Sequence, residues 1–185
     1  DVILDTNVET KRAFRDKITE FGNRRPNYDV AIVYYAGHGV QVKNENFLLP
    51  TKEEFSSEYD VEDFGVSVQM IIRYLTAMTN QVNVLILDAC RDNPFESNWG
   101  ATRSLKGSGL AKMQAPSGSM IAFSTTAGNT APDGEGNNST YCQSLSKNML
   151  IEGINLDQVF RNTRSDVMNL TNGLQMTEES TQLTG

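Results

Sequence analysis

Apolar positions along the chain follow two patterns. Three short runs are continuous: Asp29 to Tyr35 (DVAIVYY), Asn83 to Ala89 (NVLILDA) and Ser119 to Ser124 (SMIAFS). Unbroken runs rich in Val, Ile and Tyr are the mark of strands covered on both faces. Between them apolar residues recur with a helical period. Phe14, Ile18 and Phe21 predict a helix that Asn7 would cap and Gly22 would end. Ile71, Ile72, Leu75 and Met78 predict a second. Tyr141, Leu145 and Met149 predict a third, with Ser139 as N-cap. Leu156, Val159, Phe160, Thr163 and Val167 predict a fourth, opening near Asn155 and closing at Gly173. Strands alternating with helices imply a mostly parallel sheet covered on both faces, an α/β fold. No internal repeat and no linker interrupts the pattern.

Two stretches read as surface loops. Residues 91–118 are rich in Gly, Ser, Pro and Asn, and residues 127–138 (AGNTAPDGEGNN) are similar but more acidic. Each follows a strand, and in α/β sheets ligands bind outside the carboxyl ends of the strands. Loops as long as the first are usually functional.

Composition narrows the function. The chain of 185 residues is long enough for one domain, and such a chain buries roughly 70 % of its unfolded surface. Its net charge of −7 and lack of a basic stripe argue against a nucleic-acid partner. No apolar run reaches the roughly 18 residues of a membrane span, and the opening residues do not read as a signal peptide. One His and two Cys are too few for a disulfide framework or a zinc site built from such ligands.

The chemistry gathers at two strand ends. His38 follows the first apolar run in Tyr-Tyr-Ala-Gly-His-Gly (34–39), and Cys90 follows the second in Leu-Asp-Ala-Cys-Arg-Asp (87–92). If the two strands are parallel neighbours, both residues emerge at one edge of the sheet. A thiol becomes a nucleophile near neutral pH when a base lies beside it. Gly37 and Gly39 leave the backbone around His38 open to a substrate, and the amides of Gly39 and Cys90 would serve as an oxyanion hole. The plain alternative is a buried structural Cys and a satisfied His; their equivalent strand-end positions favour the catalytic reading.

With these motifs the chain resembles the caspase-like cysteine peptidases (family C14, clan CD), in the branch that holds bacterial paracaspase-like and metacaspase-like enzymes. Caspases carry the His about 50 residues before the Cys, and here 90 − 38 gives 52. YYAGHG, LDACRDNP and FSTTAGNTAPDGEGNNS carry the likeness, which weakens near Asn172 to Leu183. The resemblance implies a three-layer α/β/α sandwich, with His38 as general base and Cys90 as nucleophile, and no metal or organic cofactor for that chemistry. It also implies substrate selection by Asp88. Caspases that cut after Asp have Gln before the nucleophile and Gly two after it; here those places hold Ala89 and Asp92. An acid at the place of Asp88 lines the S1 pocket of paracaspases and metacaspases and selects Arg or Lys at P1, as a carboxylate attracts a guanidinium and repels a P1 carboxylate. Asp133 and Glu135 are candidates for a second pocket acid, the alternative being an ordinary solvated turn. Asp88 itself has the alternative of capping a backbone amide.

The resemblance carries three further expectations. Residues 1–185 would form a single catalytic domain lacking the family's first strand and helix and its last strand, so that a complementary segment supplying strands is a possible partner beside the peptide or protein substrate. Arg103, Lys106 and Lys112 lie where caspases are cut during maturation, and so are candidate self-cleavage points. The six acids between Glu53 and Asp63 invite comparison with Ca²⁺-requiring metacaspases, against a solvated loop. Gly107-Ser-Gly109 follows no strand and lacks the Lys of a phosphate loop. Cys142 falls on a helical pattern at or near the core, and the Asn138-Ser-Thr and Asn169-Leu-Thr tripeptides match a glycosylation pattern common by chance. Two other functions compete: an inert caspase-like module that binds partners, and a nucleotide- or phosphate-binding domain, which calls for a Gly-rich turn opening a helix and finds none.

Overall fold

A computed structural model describes residues 1–77, 82–126 except 91–109, and 138–183, with Cys90 described in its backbone alone. The three apolar runs are the centre of a six-stranded sheet. They form β1 (Val30–Val42), β4 (Val82–Cys90) and β5 (Ser119–Phe123), parallel to one another. Leu85 and Leu87 turn to one face of β4 and Val84 and Ile86 to the other, and all four are buried. Each such side chain contributes about 1.5–3 kcal/mol on leaving water, so both faces hold the strand in place.

Antiparallel strands extend the sheet at both ends, β2 (Glu45–Leu48) and then β3 (Val66–Ser67) beyond β1 and β6 (Glu178–Thr181) beyond β5, giving the order β3-β2-β1-β4-β5-β6. β1 runs past its apolar stretch through Gly37, His38 and Gly39, then reverses at Lys43 and Asn44, whose φ values of 49° and 65° suit a two-residue hairpin turn. The return strand is β2, which in turn pairs with β3. At the other end β6 pairs with β5. Its Glu179 forms an ion pair with Arg164, tying this strand to the helix behind it.

Helices cover both faces. On one side lie α1 (Lys11–Arg24) and α3 (Val68–Leu75), burying Phe14, Ile18, Ile71 and Leu75 with Leu85 and Leu87. On the other lie α4 (Thr140–Met149) and α5 (Leu156–Leu170), burying Tyr141, Leu145, Phe160 and Val167 with Val84 and Ile86. This is the expected three-layer sandwich. A short helix, α2 (Glu58–Phe64), lies beyond the hairpin. No helix among the described residues is long and apolar enough to cross a membrane.

The cap predictions divide. Ser139 accepts from the Cys142 N–H at 2.9 Å and Asn155 from the Gln158 N–H at 2.9 Å, as the sequence suggests. For α1 the cap is Thr10, which accepts from Ala13 N–H at 3.2 Å, while Asn7 takes a left-handed φ of 56° ahead of the helix. Gly22 does not end α1, which continues to Arg24 and stops where Pro26 offers no N–H. α5 ends at Leu170, and Gly173 sits in the turn beyond it with φ 79°. Met78 of the second predicted helix lies outside the described residues.

Two stretches expected as loops, the acidic segment 53–63 and the end of 91–118, carry packed structure. The second half of the acidic segment is α2, capped reciprocally by Ser57 and Asp60. The end of the 91–118 stretch is core: Leu110, Met113 and Ala115 are buried against the β1–β4 face. Asn46 holds this strap by bonding both the N–H and the carbonyl of Ala111, at 2.6 and 2.8 Å.

Candidate active site

The parallel register brings the two catalytic candidates together. His38 and Cys90 are the last Cα partners of the parallel pairing, Cys90 at the end of β4 and His38 within β1, four residues before its end, and Ala36 and Asp88 are partners two positions earlier. Neighbouring strands run about 4.8 Å apart, so a separation of 52 residues in sequence collapses to one strand spacing. His38 is exposed.

Two aids hold the His38 end of β1. The Leu49 N–H donates to the His38 carbonyl at 3.0 Å, and the Tyr35 hydroxyl donates to the same carbonyl at 2.9 Å. Burial pushes the Tyr35 hydroxyl well above the usual tyrosine range, so it stays a donor. Gly37 is held to glycine by its backbone conformation and its packing. Its φ is 156°, and a Cβ there would meet the Tyr35 hydroxyl at 2.6 Å. A Cβ on Gly39 would meet Leu110 Cδ2 at 2.9 Å and Ala89 Cβ at 3.3 Å. Both glycines flanking His38 are therefore set by close packing.

The backbone directions follow from the ladder. His38 turns its carbonyl to β2, so by alternation Gly39 turns its N–H the other way, toward the end of β4. The register pair His38–Cys90 brings that N–H to the Cys90 carbonyl. Cys90 turns its amide toward β1. The Val82 N–H donates to the Asp29 carbonyl at the start of the same pairing, and that step repeated along the register brings the Cys90 amide to the Gly37 carbonyl. Both amides thus lie between the ends of the two paired stretches, and each must leave a ladder bond to receive an oxyanion.

Asp88 is 8 % exposed and carries its partners on one oxygen. The Tyr34 hydroxyl donates to Oδ2 at 2.8 Å, and so does the hydroxyl of Ser139 at 2.5 Å. Ser139 is the N-cap of α4; because its oxygen accepts from Cys142 N–H, its proton is directed at Asp88. The alternative role of Asp88, capping a backbone amide, has no such bond among the described residues. Burial, then the charge of Asp88, raise the Tyr34 hydroxyl far above its ordinary range. Cys142, half-buried, lies against that hydroxyl. The neighbouring Tyr141 hydroxyl is buried with no partner among the described residues.

The remaining candidates divide between described and undescribed residues. Asp133, Glu135, Arg103 and Lys106 lie outside the described residues, as does the Cys90 side chain. Lys112 lies on the strap beside Ala111 and pairs with Glu178 at 2.9 Å. In the acidic segment Asp60 is committed to its capping box and Glu62 to Lys43. No group of three or more His, Cys, Asp or Glu that suits a metal ion occurs among the described residues. Sequence reading missed Tyr34, Tyr35 and Ser139 as site residues, although Ser139 was legible as a cap.

A cleft of about 920 Å³ runs along the outer edge of β1 from Val30 to His38, walled by residues 1–8 and α1. Over this length β1 pairs, among the described residues, with β4 on one side only, since β2 begins to pair at Gly39.

The profile of the C14 caspase domain matches residues 2–185. The chain belongs to the caspase-domain family of cysteine peptidases. Among solved structures, the initiator caspase Dronc of Drosophila superposes with a TM-score of 0.64 at 12 % identity. The alignment covers 96 % of this chain and 63 % of that one, so the caspase domain here spans less than two thirds of the Dronc chain. At that identity the likeness is one of fold. No curated protein matches the sequence.

Proposed function

We propose that this caspase-family domain is an endopeptidase that cuts after Arg or Lys. The observation that carries the reading is the pair of register partners, His38 opposite Cys90 and Ala36 opposite Asp88, which sets a base, a thiol position and a buried carboxylate at one sheet end. In this reading His38 takes the proton of the Cys90 thiol, and the thiolate attacks the scissile carbonyl carbon. The amide of Gly39, joined by that of Cys90, holds the oxyanion. The C–N bond breaks as the imidazolium passes its proton to the leaving amine, and water then releases the acyl group from sulfur, regenerating the thiol. Asp88 receives the P1 cation in S1. Asp133 and Glu135 supply a second acid there, and no metal or organic cofactor enters the chemistry.

The same reading makes Arg103 and Lys106 the self-cleavage points to examine first. Lys112 stands on the strap that Asn46 and Leu110 anchor, and cutting there requires the strap to leave its seat. The outer edge of β1, which pairs with no strand among the described residues, supports the companion proposal that an extended segment adds a strand along Val30 to Ala36.

The test is a peptide acyloxymethyl ketone with Arg at P1. Mass spectrometry should find it on Cys90 and not on Cys142, and His38→Ala should slow the labelling strongly. Labelling that ignores His38, or that favours an Asp probe over the Arg probe, would overturn the assignment.

A further inference from the structure

Asp88 presents its carboxylate asymmetrically. Oδ2 accepts from two hydroxyls, Tyr34 and Ser139. Oδ1 accepts nothing among the described residues and is not one of the buried polar atoms left without a partner. A carboxylate oxygen has about two lone-pair sites, and a guanidinium fork uses one on each oxygen of the carboxylate. With both sites of Oδ2 filled, the fork cannot seat side-on unless a hydroxyl leaves. Oδ1 alone receives donors, and a single oxygen suits the compact ammonium of Lys as well as one end of a guanidinium.

From this we infer that Tyr34 and Ser139 set the balance between Lys and Arg at P1, by withholding the Asp88 oxygen that a side-on guanidinium needs. Neither residue need touch the substrate; both are positioning residues acting through Asp88. The inference rests on the proposed basic S1 pocket and deepens it. Ser139 also links the pocket to the fold: its oxygen caps α4 while its proton fixes Asp88, so the helix start and the pocket carboxylate are oriented together. Its neighbour Cys142 stands against the other hydroxyl, which leaves Tyr34 no competing acceptor as strong as Asp88.

The experiment compares kcat/KM for two fluorogenic peptides that differ only in Arg or Lys at P1. Their ratio on one sample is independent of the active fraction, so partial unfolding of a variant does not confuse it. Tyr34→Phe should raise the Arg-to-Lys ratio roughly three- to tenfold, since it frees a site on Oδ2 for a charge-assisted bond. Ser139→Ala should move it the same way, and Ser139→Thr, which keeps the hydroxyl, should restore the native ratio. A ratio unmoved in both Tyr34→Phe and Ser139→Ala overturns the inference and leaves the basic pocket standing. The same two peptides binding to Cys90→Ala, followed by fluorescence anisotropy, give the ratio without turnover. Equal indifference of that variant to Arg, Lys and norleucine at P1 would remove the pocket reading itself.

Discussion

Gly39 has no positive φ to demand a glycine; the demand comes from packing, and that makes a sharp prediction possible. In Gly39→Ala the new methyl would sit 2.9 Å from Leu110 Cδ2 and 3.3 Å from both Leu110 Cγ and Ala89 Cβ. Ala89 is fixed in β4 and cannot yield, so Leu110 must move, although it is 1 % exposed and held beside the Asn46 clamp. Overpacking of this kind costs about 1–3 kcal/mol. Leu110→Ala alone should cost about 2–5 kcal/mol through the cavity it opens. In the double variant the two defects cancel in part, because the added methyl enters the space the isobutyl group leaves. The coupling should be about 1–2 kcal/mol in favour of the pair, within the range for residues in contact. Urea titration of the four proteins reads it directly, with an unchanged m-value confirming that the comparison concerns stability. Peptide turnover should follow: lowest in Gly39→Ala, where the strap is forced off the His38 end, and partly recovered in the double variant. Additivity of the two single effects within about 0.5 kcal/mol would refute the contact as the reason for the glycine.

Other predictions follow from single contacts. Arg25 is buried, bonded to the Tyr74 carbonyl at 2.5 Å and to Asn83 Oδ1 at 2.6 Å, and its burial lowers its pKa; Arg25→Ala should cost about 3–5 kcal/mol by urea unfolding, since it strands those acceptors at the junction of α1, α3 and β4. Tyr35→Phe removes the hydroxyl bond to the His38 carbonyl and should cost about 0.5–1.5 kcal/mol, with turnover falling more than P1 preference changes, as measured on matched Arg and Lys peptides. The Asp60 carboxylate is held below its ordinary range by the Ser56 N–H and then by the Ser57 hydroxyl. Its folded value is thus depressed, so its contribution to α2 is present above the unfolded value near 4 and is lost as pH falls through the folded value. Asp60→Asn should flatten that part of the acid unfolding curve followed by circular dichroism; an unchanged curve would show that the carboxylate plays no part.

What was legible in the sequence, and what was not, has a physical division. β1, β4 and β5 are covered on both faces, so their residues had to be apolar without a break, and the runs announce them. β3 and β6 pair along one edge and β2 is only four residues long, and these strands carry residues such as Glu45, Asn46, Glu178 and Glu179, so composition hides them and only their neighbours hold their register. α2 hid in an acidic segment because its signal is the capping box of Ser57 and Asp60, not an apolar stripe. Thr10 took the capping role expected of Asn7 because a cap is decided by where the helix meets its neighbours, which a tripeptide does not reveal. The site divides in the same way. Cys90 stood at a strand end as its apolar run announced, whereas His38 lies inside β1, which runs on to Val42 in a hairpin that the apolar run did not show. The partners of Asp88 were hidden because Tyr34 and Ser139 lie 54 and 51 residues away, one placed by β1 and the other by the start of α4.

His38, Cys90 and Asp88, where the parallel pairing of β1 and β4 ends, are proposed to form one catalytic centre with a basic-residue pocket. The most direct measurement is cleavage of matched fluorogenic peptides bearing Arg, Lys or Asp at P1 by the wild-type chain, Cys90→Ala, His38→Ala and Asp88→Ala. Cleavage is expected after Arg and Lys but not Asp, abolished in Cys90→Ala, reduced by orders of magnitude in His38→Ala, and lowered mainly through KM in Asp88→Ala. Cleavage after Asp, or turnover that survives Cys90→Ala, would contradict it.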